Sequence, residues 1–514
     1  MATERELKLS LLPRDAGKLK NHPLLAAAPA TTRQIETHYF DTGDHQLARA
    51  GVAVRLRRIE DHYSATVKTE SADQSGFTER GEWECAIPAP LAEAALAEPA
   101  ELSAFPPWLE PLLERVAPRA IRDLLHHTAL QLRPILSTRF RRTTWPIALV
   151  GGEAEVAFDR GVITTGTQAV PLCELEIESP TAPFPSLLEF ARTLAETVAL
   201  WPEPRSKAAR GFALLTGDAA TAFKTKPPRW SAEMSIADAF FTAWWSCVAH
   251  GGANMTLYAQ HHDPEALHQL RIALRRSRTL LAHFAPWLGA PLADTLRAYI
   301  ASVARPLGTR RDRDVLVDAI IRPAHTACPV AQQEIACLAE VLHPPCHRAA
   351  ALPYRALGQL WLDTSLRLLA AKPSSFSSDP LEPFVRTLWH RTRRRVRHRI
   401  DQWEADPTSE RRHRVRIALK SWRYLLEWSR ALLPKRAYRR EMARVKHALD
   451  LLGAAQDWEG AQHQLAPYLR RSDRLAVGAA AVLAWHHARS VLPCGTLRND
   501  LRTWFHESWE ETTK

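Results

Sequence analysis

The sequence predicts a multidomain α+β chain: an antiparallel β-barrel with flanking helices over residues 1–216, a linker over 217–231, and an all-α domain over 232–514. Three observations predict it. Strand-like segments of the first half carry charge at every second position, and alternate side chains of an extended chain share a face. Beyond residue 231 the apolar pattern is helical almost throughout. Within that helical half a block of sequence recurs 145 residues later, the mark of two bundle repeats at about 232–375 and 376–514. The length of 514 residues agrees, being too great for one core.

Charge divides the chain in the same place. Residues 1–216 hold 24 Lys+Arg against 28 Asp+Glu, and the remainder holds 44 against 28. A basic half of this kind expects a polyanionic partner. Seven cysteines, an odd count with no C-x-x-C, exclude a disulfide framework and a zinc site and point to a reducing cytoplasm. No apolar signal segment opens the sequence, and the longest apolar run, near Ala476–Trp485, is too short to span a membrane. No membrane partner is expected.

Residues 1–85 read mainly as strands: Glu4–Leu11, Gln34–Asp41, Val52–Ile59, Tyr63–Thr69 and Glu79–Ile87. In the first, Glu4, Glu6 and Lys8 share a face, with Leu7 opposite. Arg55 and Arg57 share another, Thr66 and Lys68 are in step, and so are Arg80, Glu82 and Glu84. From Pro88 to Leu132 alanine, leucine and glutamate recur at helical spacing between prolines, which reads as helices packed outside a sheet. Strand pattern resumes at Ile135. Arg139, Arg141 and Arg142 cannot all share a face, so at least one of them is structural. Glu153–Thr164 carries Asp159, and the next strand puts Glu174, Glu176 and Glu178 on one face with Leu175 and Ile177 opposite. Glu178 reads equally as a ligand and as a solvated strand end. A helix is expected over Phe184–Leu200, then Ser206-Lys207-Ala208-Ala209-Arg210-Gly211. His38, His126 and His127 lack metal-ligand spacing and read as surface or core residues.

A sheet with one charged face must place that face somewhere. A closed barrel packs the apolar faces outward and lines a lumen with the charged ones. Arginine and lysine suit phosphate oxygens, and clustered carboxylates suit Mg²⁺ or Mn²⁺, which take hard oxygen ligands. Both together suit a metal-bound polyphosphate.

The E-x-E-x-K of Glu4, Glu6 and Lys8 resembles the signature of the CYTH domain, the triphosphate tunnel metalloenzymes. R-L-R at Arg55 and Arg57, T-x-K at Thr66 and Lys68, R-x-E-x-E at Arg80, Glu82 and Glu84, Asp159, E-L-E at Glu174 and Glu176, and S-K-x-x-R-G at Ser206, Lys207 and Arg210 extend the resemblance in the family's order. It implies an eight-stranded antiparallel tunnel. It implies substrate binding by Lys8, Arg55, Arg57, Lys68, Arg80, Arg142 (three residues before Trp145, with Arg139 as the alternative), Lys207 and Arg210. Metal would be held by Glu4, Glu6, Glu82, Glu84, Asp159, Glu174 and Glu176, and the reaction carried by Glu4, Glu6, Lys8 and Glu176. Family members include inorganic triphosphatases, thiamine triphosphatases and class IV adenylate cyclases.

In the helical half, His268-Gln269-Leu270-Arg271 through Leu281 recurs as His413-Arg414-Val415-Arg416 through Leu426, and Leu307-Gly308 recurs as Leu452-Gly453. On a helix, positions 0, +3, +7 and +10 fall within about an 80° arc. One helix thus aligns His268, Arg271, Arg275 and Arg278, and its twin aligns His413, Arg416, Lys420 and Arg423. This duplicated H-x-x-R-x-x-x-[RK]-x-x-R pattern resembles the CHAD domain, the conserved-histidine α-helical domain, which implies that these eight residues bind inorganic polyphosphate. Copy two departs at Lys420, which keeps the charge but lacks the arginine fork, and at Gln456-Asp457-Trp458, which stands for Arg311-Asp312-Arg313-Asp314. Nucleic acid is not favoured, since no stacking motif or recognition helix is visible.

The expected function is therefore hydrolysis of inorganic triphosphate to pyrophosphate and phosphate with Mg²⁺ or Mn²⁺. The second half would bind polyphosphate and bring a cytoplasmic chain to polyphosphate granules. The alternatives are a polyphosphate-binding scaffold without catalysis, or a cyclase or thiamine triphosphatase.

Overall fold

In the computed structural model of this chain the structure describes residues 5–69, 81–97, 105–166, 168–342, 352–371, 379–489 and 494–507. These form two compact units. The first comprises residues 1–224 with 248–270 and 353–371; the second comprises 225–247, 271–352 and 372–514. Glu4 and Arg80 lie outside the described residues.

The first unit is built on nine strands: β1 (Arg5–Leu11), β2 (Thr31–Asp41), β3 (Val52–Ile59), β4 (His62–Thr69), β5 (Glu82–Ile87), β6 (Arg133–Leu149), β7 (Gly152–Thr165), β8 (Gln168–Ser179) and β9 (Leu200–Pro202). Their order is β5-β4-β3-β2-β6-β7-β8-β1-β9, antiparallel throughout. β6 and β7 are joined at Gly151, whose φ of 85° needs a residue without Cβ.

This corrects the eight-stranded closed barrel. There are nine strands, and among the described residues the sheet is not closed, β5 and β9 being its edges. The charged face does not need closure along its whole length, because one end of it is apolar. Two residues beyond Asp159 and Glu174 the same face carries Gly161, Ile163, Leu172 and Val170, joined by Ile35 and Phe140. Leu214 of the Lys207–Leu215 helix packs there. A helix laid on the sheet does part of what barrel closure was expected to do.

The opposite face follows expectation. Val52, Val54, Leu56, Ala65, Val67, Cys85 and Ile87 alternate with the charged positions. They bury against Ala92, Leu112, Leu113 and Leu125 of the Ala89–Leu96, Glu110–Arg115 and Arg119–Thr128 helices. Burial of such side chains is worth ~1.5–3 kcal/mol each.

The helix expected over Phe184–Leu200 stops at Leu194, and Leu200-Trp201-Pro202 pairs as β9 with Leu9, Ser10 and Leu11 of β1. β9 is covered by the later segments of this unit. Trp201 is 1% exposed, its Nε1 donates to Thr256 Oγ1 at 2.9 Å, and its ring meets Tyr354 at 5.1 Å. A Cβ at Gly252 would overlap the Pro202 carbonyl oxygen, and one at Gly358 would overlap that of Leu200. Helix backbone therefore lies directly on strand backbone.

The second unit is helical. Its basic helices, Pro264–His283 (from Arg271 onward) and Ser409–Trp428, are followed by Ala290–Val315 and Lys435–Leu469 in matching order, as the duplication predicts. Leu316, Ile320, Ile335 and Leu338 pack with Leu465, Ala479 and Val482 in one core. Cys85, Cys173, Cys247, Cys328 and Cys337 are free thiols. No described helix is long and apolar enough to cross a membrane.

Candidate functional site

Strand register assembles the site. β1 sets Lys8 opposite Glu176 and Glu6 opposite Glu178. β6, β7 and β8 set Arg142, Asp159 and Glu174 in one row. β3 and β4 set Arg55 opposite Thr66, and β4 and β5 set Lys68 opposite Glu82. The Lys207–Leu215 helix adds its first turn. Ser206 caps it by accepting from Ala209 N at 3.0 Å, and the i, i+3 spacing turns Lys207 and Arg210 together toward the sheet.

A cavity of about 320 Å³ results, lined by Glu6, Lys8, Tyr39, Arg55, Arg57, Lys68, Glu82, Glu84, Arg142, Glu176, Glu178, Ser206 and Lys207 among others. A second cavity, of about 1190 Å³, shares Arg57 and Arg142 with it and is lined further by Arg33, Ile35, Ile59, Pro146, Ile147 and Ala154.

The charges fall into two groups. Further along the same face, beneath the Lys207–Leu215 helix, Asp159 and Glu174 are fully buried. Arg142 grips Asp159 with two bonds of 2.7 Å and also pairs with Glu176. Lys207 lies 2.8 Å from Asp159 and 2.9 Å from Glu176 and pairs with Glu174; Arg210 reaches Glu174 at 2.7 Å and Pro171 O at 3.0 Å. Burial opposes charge here, but Asp159, Glu174 and Glu176 outweigh it and raise the Lys207 pKa well above the usual lysine value. Burial likewise opposes the Glu176 carboxylate, and Lys207, Arg142 and Lys8 hold that carboxyl well below its usual range. Glu174 is pushed up, by burial and by Glu176.

On the cavity side, Lys8 sits 3.1 Å from Glu6 and 3.7 Å from Glu176, and burial of its ammonium is outweighed by these carboxylates and Glu174. Glu82 takes Lys68 at 2.6 Å and Arg55 at 3.2 Å. Arg57 differs. Among the described residues it pairs with no carboxylate, and its Nε is buried without a partner. Burial and the neighbouring Arg55 and Arg142 depress its pKa to about 10. A desolvated guanidinium between two others is a site for an anion.

The arginine ambiguity resolves by burial. Arg142 enters the cluster, while Arg139 and Arg141 are exposed, Arg139 on Glu36 at 2.7 Å. The structure thus brings together Glu6, Lys8, Arg55, Arg57, Lys68, Glu82, Glu84, Arg142, Glu176 and Lys207 at the cavity, with Asp159, Glu174 and Arg210 next to it beneath the helix. Sequence reasoning left Glu178 undecided and passed over Tyr39. Glu178 belongs to the wall, and the signal was its even spacing with Glu174 and Glu176. Two carboxylate triads have oxygens within 4.8 Å of one another: Glu6, Glu176 and Glu178, and Asp159, Glu174 and Glu176.

The helical unit gathers part of its basic stripe. Arg271, Arg275 and Arg416 crowd Lys420, with Asp457 opposing them. Arg423 is drawn to Glu427 at 2.8 Å, Arg278 is exposed and repelled by Arg297 and Arg275, and His413 Nδ1 is 2.8 Å from Gln456 Oε1. His268 belongs to the first compact unit. Of the eight expected side chains, Arg271, Arg275, Arg416 and Lys420 are thus neighbours within this unit.

Comparison with known proteins agrees with this layout. Residues 2–212 match the CYTH domain and residues 242–466 the CHAD domain. A curated inorganic triphosphatase from Haemophilus influenzae is 30% identical over 217 residues, which are 42% of this chain and 55% of that protein. The chain thus spans about half the length of that relative. Among solved structures, a putative adenylyl cyclase from Hippeastrum, described as having a dominant triphosphatase activity, is 20% identical. That match covers 41% of this chain and 95% of that one, with a TM-score of 0.32. The CHAD domain from the plant Ricinus communis is 21% identical and covers 55% of this chain and 96% of that one, with a TM-score of 0.44.

Proposed function

We propose that this chain, a CYTH domain followed by a CHAD domain, hydrolyses inorganic triphosphate to pyrophosphate and phosphate in its first half and holds inorganic polyphosphate on its second. The observation that carries the first reading is Arg57, buried beside Arg55 and Arg142 and paired with no carboxylate among the described residues. The name of the Haemophilus influenzae relative supports the same substrate.

The residues also fit a divalent ion. Glu6, Glu176 and Glu178 present hard oxygens within 4.8 Å of one another on the cavity wall, which suits Mg²⁺ or Mn²⁺. Bound there, the ion would polarise phosphate oxygens and lower the pKa of water. The chain's own residues do the rest. Arg55, Arg57 and Lys68 from one side and Arg142 and Lys8 from the other hold a linear triphosphate extended between them, neutralising it and orienting its two bridging bonds. Lys207, Arg210, Asp159 and Glu174 fix Arg142 and Glu176 in place, so the donors need no rearrangement as charge develops.

A second reading, an organic triphosphate, draws on the Ile35, Ile59 and Ile147 lining of the larger cavity beside Arg57 and Arg142. A phosphate-release panel separates them: triphosphate, ATP, thiamine triphosphate and long polyphosphate, each with Mg²⁺ and with Mn²⁺. Triphosphate should be turned over fastest, and Arg57→Met should raise KM by at least about tenfold, the loss of one charge-assisted contact of ~1.5–3 kcal/mol. Preference for an organic ester favours the second reading. Equal KM and kcat in Arg57→Met would end both.

For the second half, Arg271, Arg275 and Arg416 gathered about Lys420, with Asp457 opposing them, support a polyanion as ligand. Binding of that kind would carry the chain to polyphosphate deposits.

A further inference from the structure

Lys207 and Arg210 enter the charged cluster from the first turn of one helix, so the point where that helix starts decides where both charges stand. Three residues before the Ser206 cap stands Glu203, an acid 1% exposed. Its N–H donates to the Lys8 carbonyl at 3.0 Å, which ties it to β1 at a cavity residue. Its carboxylate closes the turn that follows. Oε1 accepts Arg205 N at 3.1 Å and Arg205 Nε at 3.0 Å, Oε2 accepts Arg205 Nη2 at 3.1 Å, and Ser10 Oγ donates to Oε2 at 3.5 Å. Ser10 itself stands opposite Glu174 in the β1–β8 register. Glu203 therefore holds β1 on one side and, on the other, the residue next to the Ser206 cap. Burial opposes its charge, but Arg205, Arg210 and Thr256 outweigh burial and hold the carboxyl below its usual value. With its side chain fully buried, Glu203 acts only by placing its neighbours.

Against this turn packs the later part of the Ile236–His261 helix, within the stretch that matches the CHAD domain. Gly252, Thr256 and Gln260 follow at i, i+4 and i+8, within about an 80° arc of that helix. Gly252, lacking a Cβ, lets the helix rest on the Pro202 carbonyl. Thr256 Oγ1 accepts Trp201 Nε1 at 2.9 Å, and Thr256 also hydrogen-bonds the Glu203 carboxylate. Gln260 Nε2 donates to Pro171 O at 3.5 Å, the same carbonyl that takes Arg210 Nη2 at 3.0 Å. One helix face thus backs both the turn before Lys207 and the strand carbonyl beside Arg210. All of these residues belong to the first compact unit.

Resting on the reading that this cavity hydrolyses triphosphate, we propose that Glu203 is a positioning residue for that reaction. Held by Arg205, Ser10 and Thr256, it fixes where the Lys207–Leu215 helix begins, and hence where Lys207 meets Asp159, Glu174 and Glu176. Through Thr256 the segment that matches the CHAD domain supports turnover in the first half. Glu203→Gln keeps the size of the side chain and removes the charge opposite Arg205. The turn then loosens, Lys207 shifts against its carboxylates, and the groups it steadies must reorganise during turnover. Arg55, Arg57 and Lys68, on β3 and β4, keep their places. The loss therefore falls on kcat more than on KM.

The test is a double-mutant cycle of Glu203→Gln with Lys207→Met in the full-length protein. With triphosphate and Mg²⁺, Glu203→Gln should lower kcat about tenfold or more and leave KM within about threefold. In the Lys207→Met background the same change should lower kcat by less than about twofold, because its effect passes through Lys207. Thr256→Val should lower kcat about fivefold, and Thr256→Ser, which keeps the hydroxyl, should match the natural protein within about twofold. Without substrate, the Tm losses of Glu203→Gln and Lys207→Met should sum to more than the loss of the double variant. Should Glu203→Gln fail to fold, Thr256→Val takes its place in both cycles. An unchanged kcat, an equal fold-loss in both backgrounds, or equal kcat in Thr256→Val and Thr256→Ser overturns the inference and leaves triphosphate turnover in place. If the natural protein turns over no triphosphate, the reading of the cavity fails. The Tm cycle then decides alone, and additive losses overturn the placement of Lys207 by Glu203.

Discussion

Replacing Lys207 by methionine keeps the volume of the side chain and deletes one charge from the centre of the buried cluster. Lys207 serves Asp159, Glu174 and Glu176 at once. Arg142 still holds Asp159 and Glu176 in the variant, and Arg210 still holds Glu174. Removing one partner from a buried ion pair costs ~3–5 kcal/mol, and the two remaining arginines place this case at the low end, about 3 kcal/mol. For a unit of this size that is a fall in Tm of about 6–12 °C. The pH dependence is more telling. Lys207 helps hold the Glu176 carboxyl well below its usual range, so its contribution is present above the unfolded carboxyl value and is lost as pH falls through the folded one. In the methionine variant the crowded carboxylates rise in pKa, and the penalty is largest at neutral pH. It shrinks as pH falls through the raised carboxyl values of the variant, where protonation discharges them. Scanning calorimetry of both full-length proteins at about pH 7.5, 6 and 5 measures this. A deficit under about 2 °C at pH 7.5, or one that widens as pH falls, would refute this account of the buried cluster.

Further outcomes follow from the same geometry. Arg142→Ala should lower kcat/KM for triphosphate by about a hundredfold or more, two charge-assisted contacts, whereas Arg141→Ala should leave it within about twofold; the reverse order would place β6 out of register. Glu178→Gln should raise the Mg²⁺ concentration needed for half-maximal turnover by about tenfold and leave Tm nearly unchanged, and an unaltered metal titration would take Glu178 off the ligand set. Gly358→Val should cost at least about 3 kcal/mol of stability, since its side chain would meet the Leu200 carbonyl; a Tm equal to that of the natural protein would mean the contact is not tight in solution.

Much of the site was legible because extended chains have period 2. Glu6 with Lys8, Arg55 with Arg57 and Glu174 with Glu176 each fall on a shared face in the sequence and share it in the sheet. Period 2 could not choose among Arg139, Arg141 and Arg142, because that choice depends on which neighbour each meets across β7. Nor could it show that Asp159 and Glu174 are fully buried on that face, which depends on the Lys207–Leu215 helix covering them. β9 was lost because three residues carry no periodicity, and the apolar stretch before it continues a helical pattern. The duplicated arginine stripe was visible as sequence, but its partial dispersal was not. Glu427 pairs with Arg423 through a contact that alignment of the two copies does not contain.

The covering of β9 bears on solubility. A bare sheet edge offers unpaired carbonyl and amide groups to any extended segment of another molecule, the usual route to strand-by-strand aggregation. Here that edge is blocked by main chain: Gly252 and Gly358 let two helices lie so close to Leu200 and Pro202 that no foreign strand can enter. A charged or proline-rich edge repels intruders by chemistry; this one is occluded by close approach. The protection comes from residues far along the sequence, so it arrives late in synthesis. Until 353–371 has been made and docked, the nascent sheet carries an exposed flank, and a fragment ending at Thr216 would carry it permanently. Poor colloidal behaviour of such a fragment would then report an uncovered edge, with no bearing on whether its charged cavity is complete.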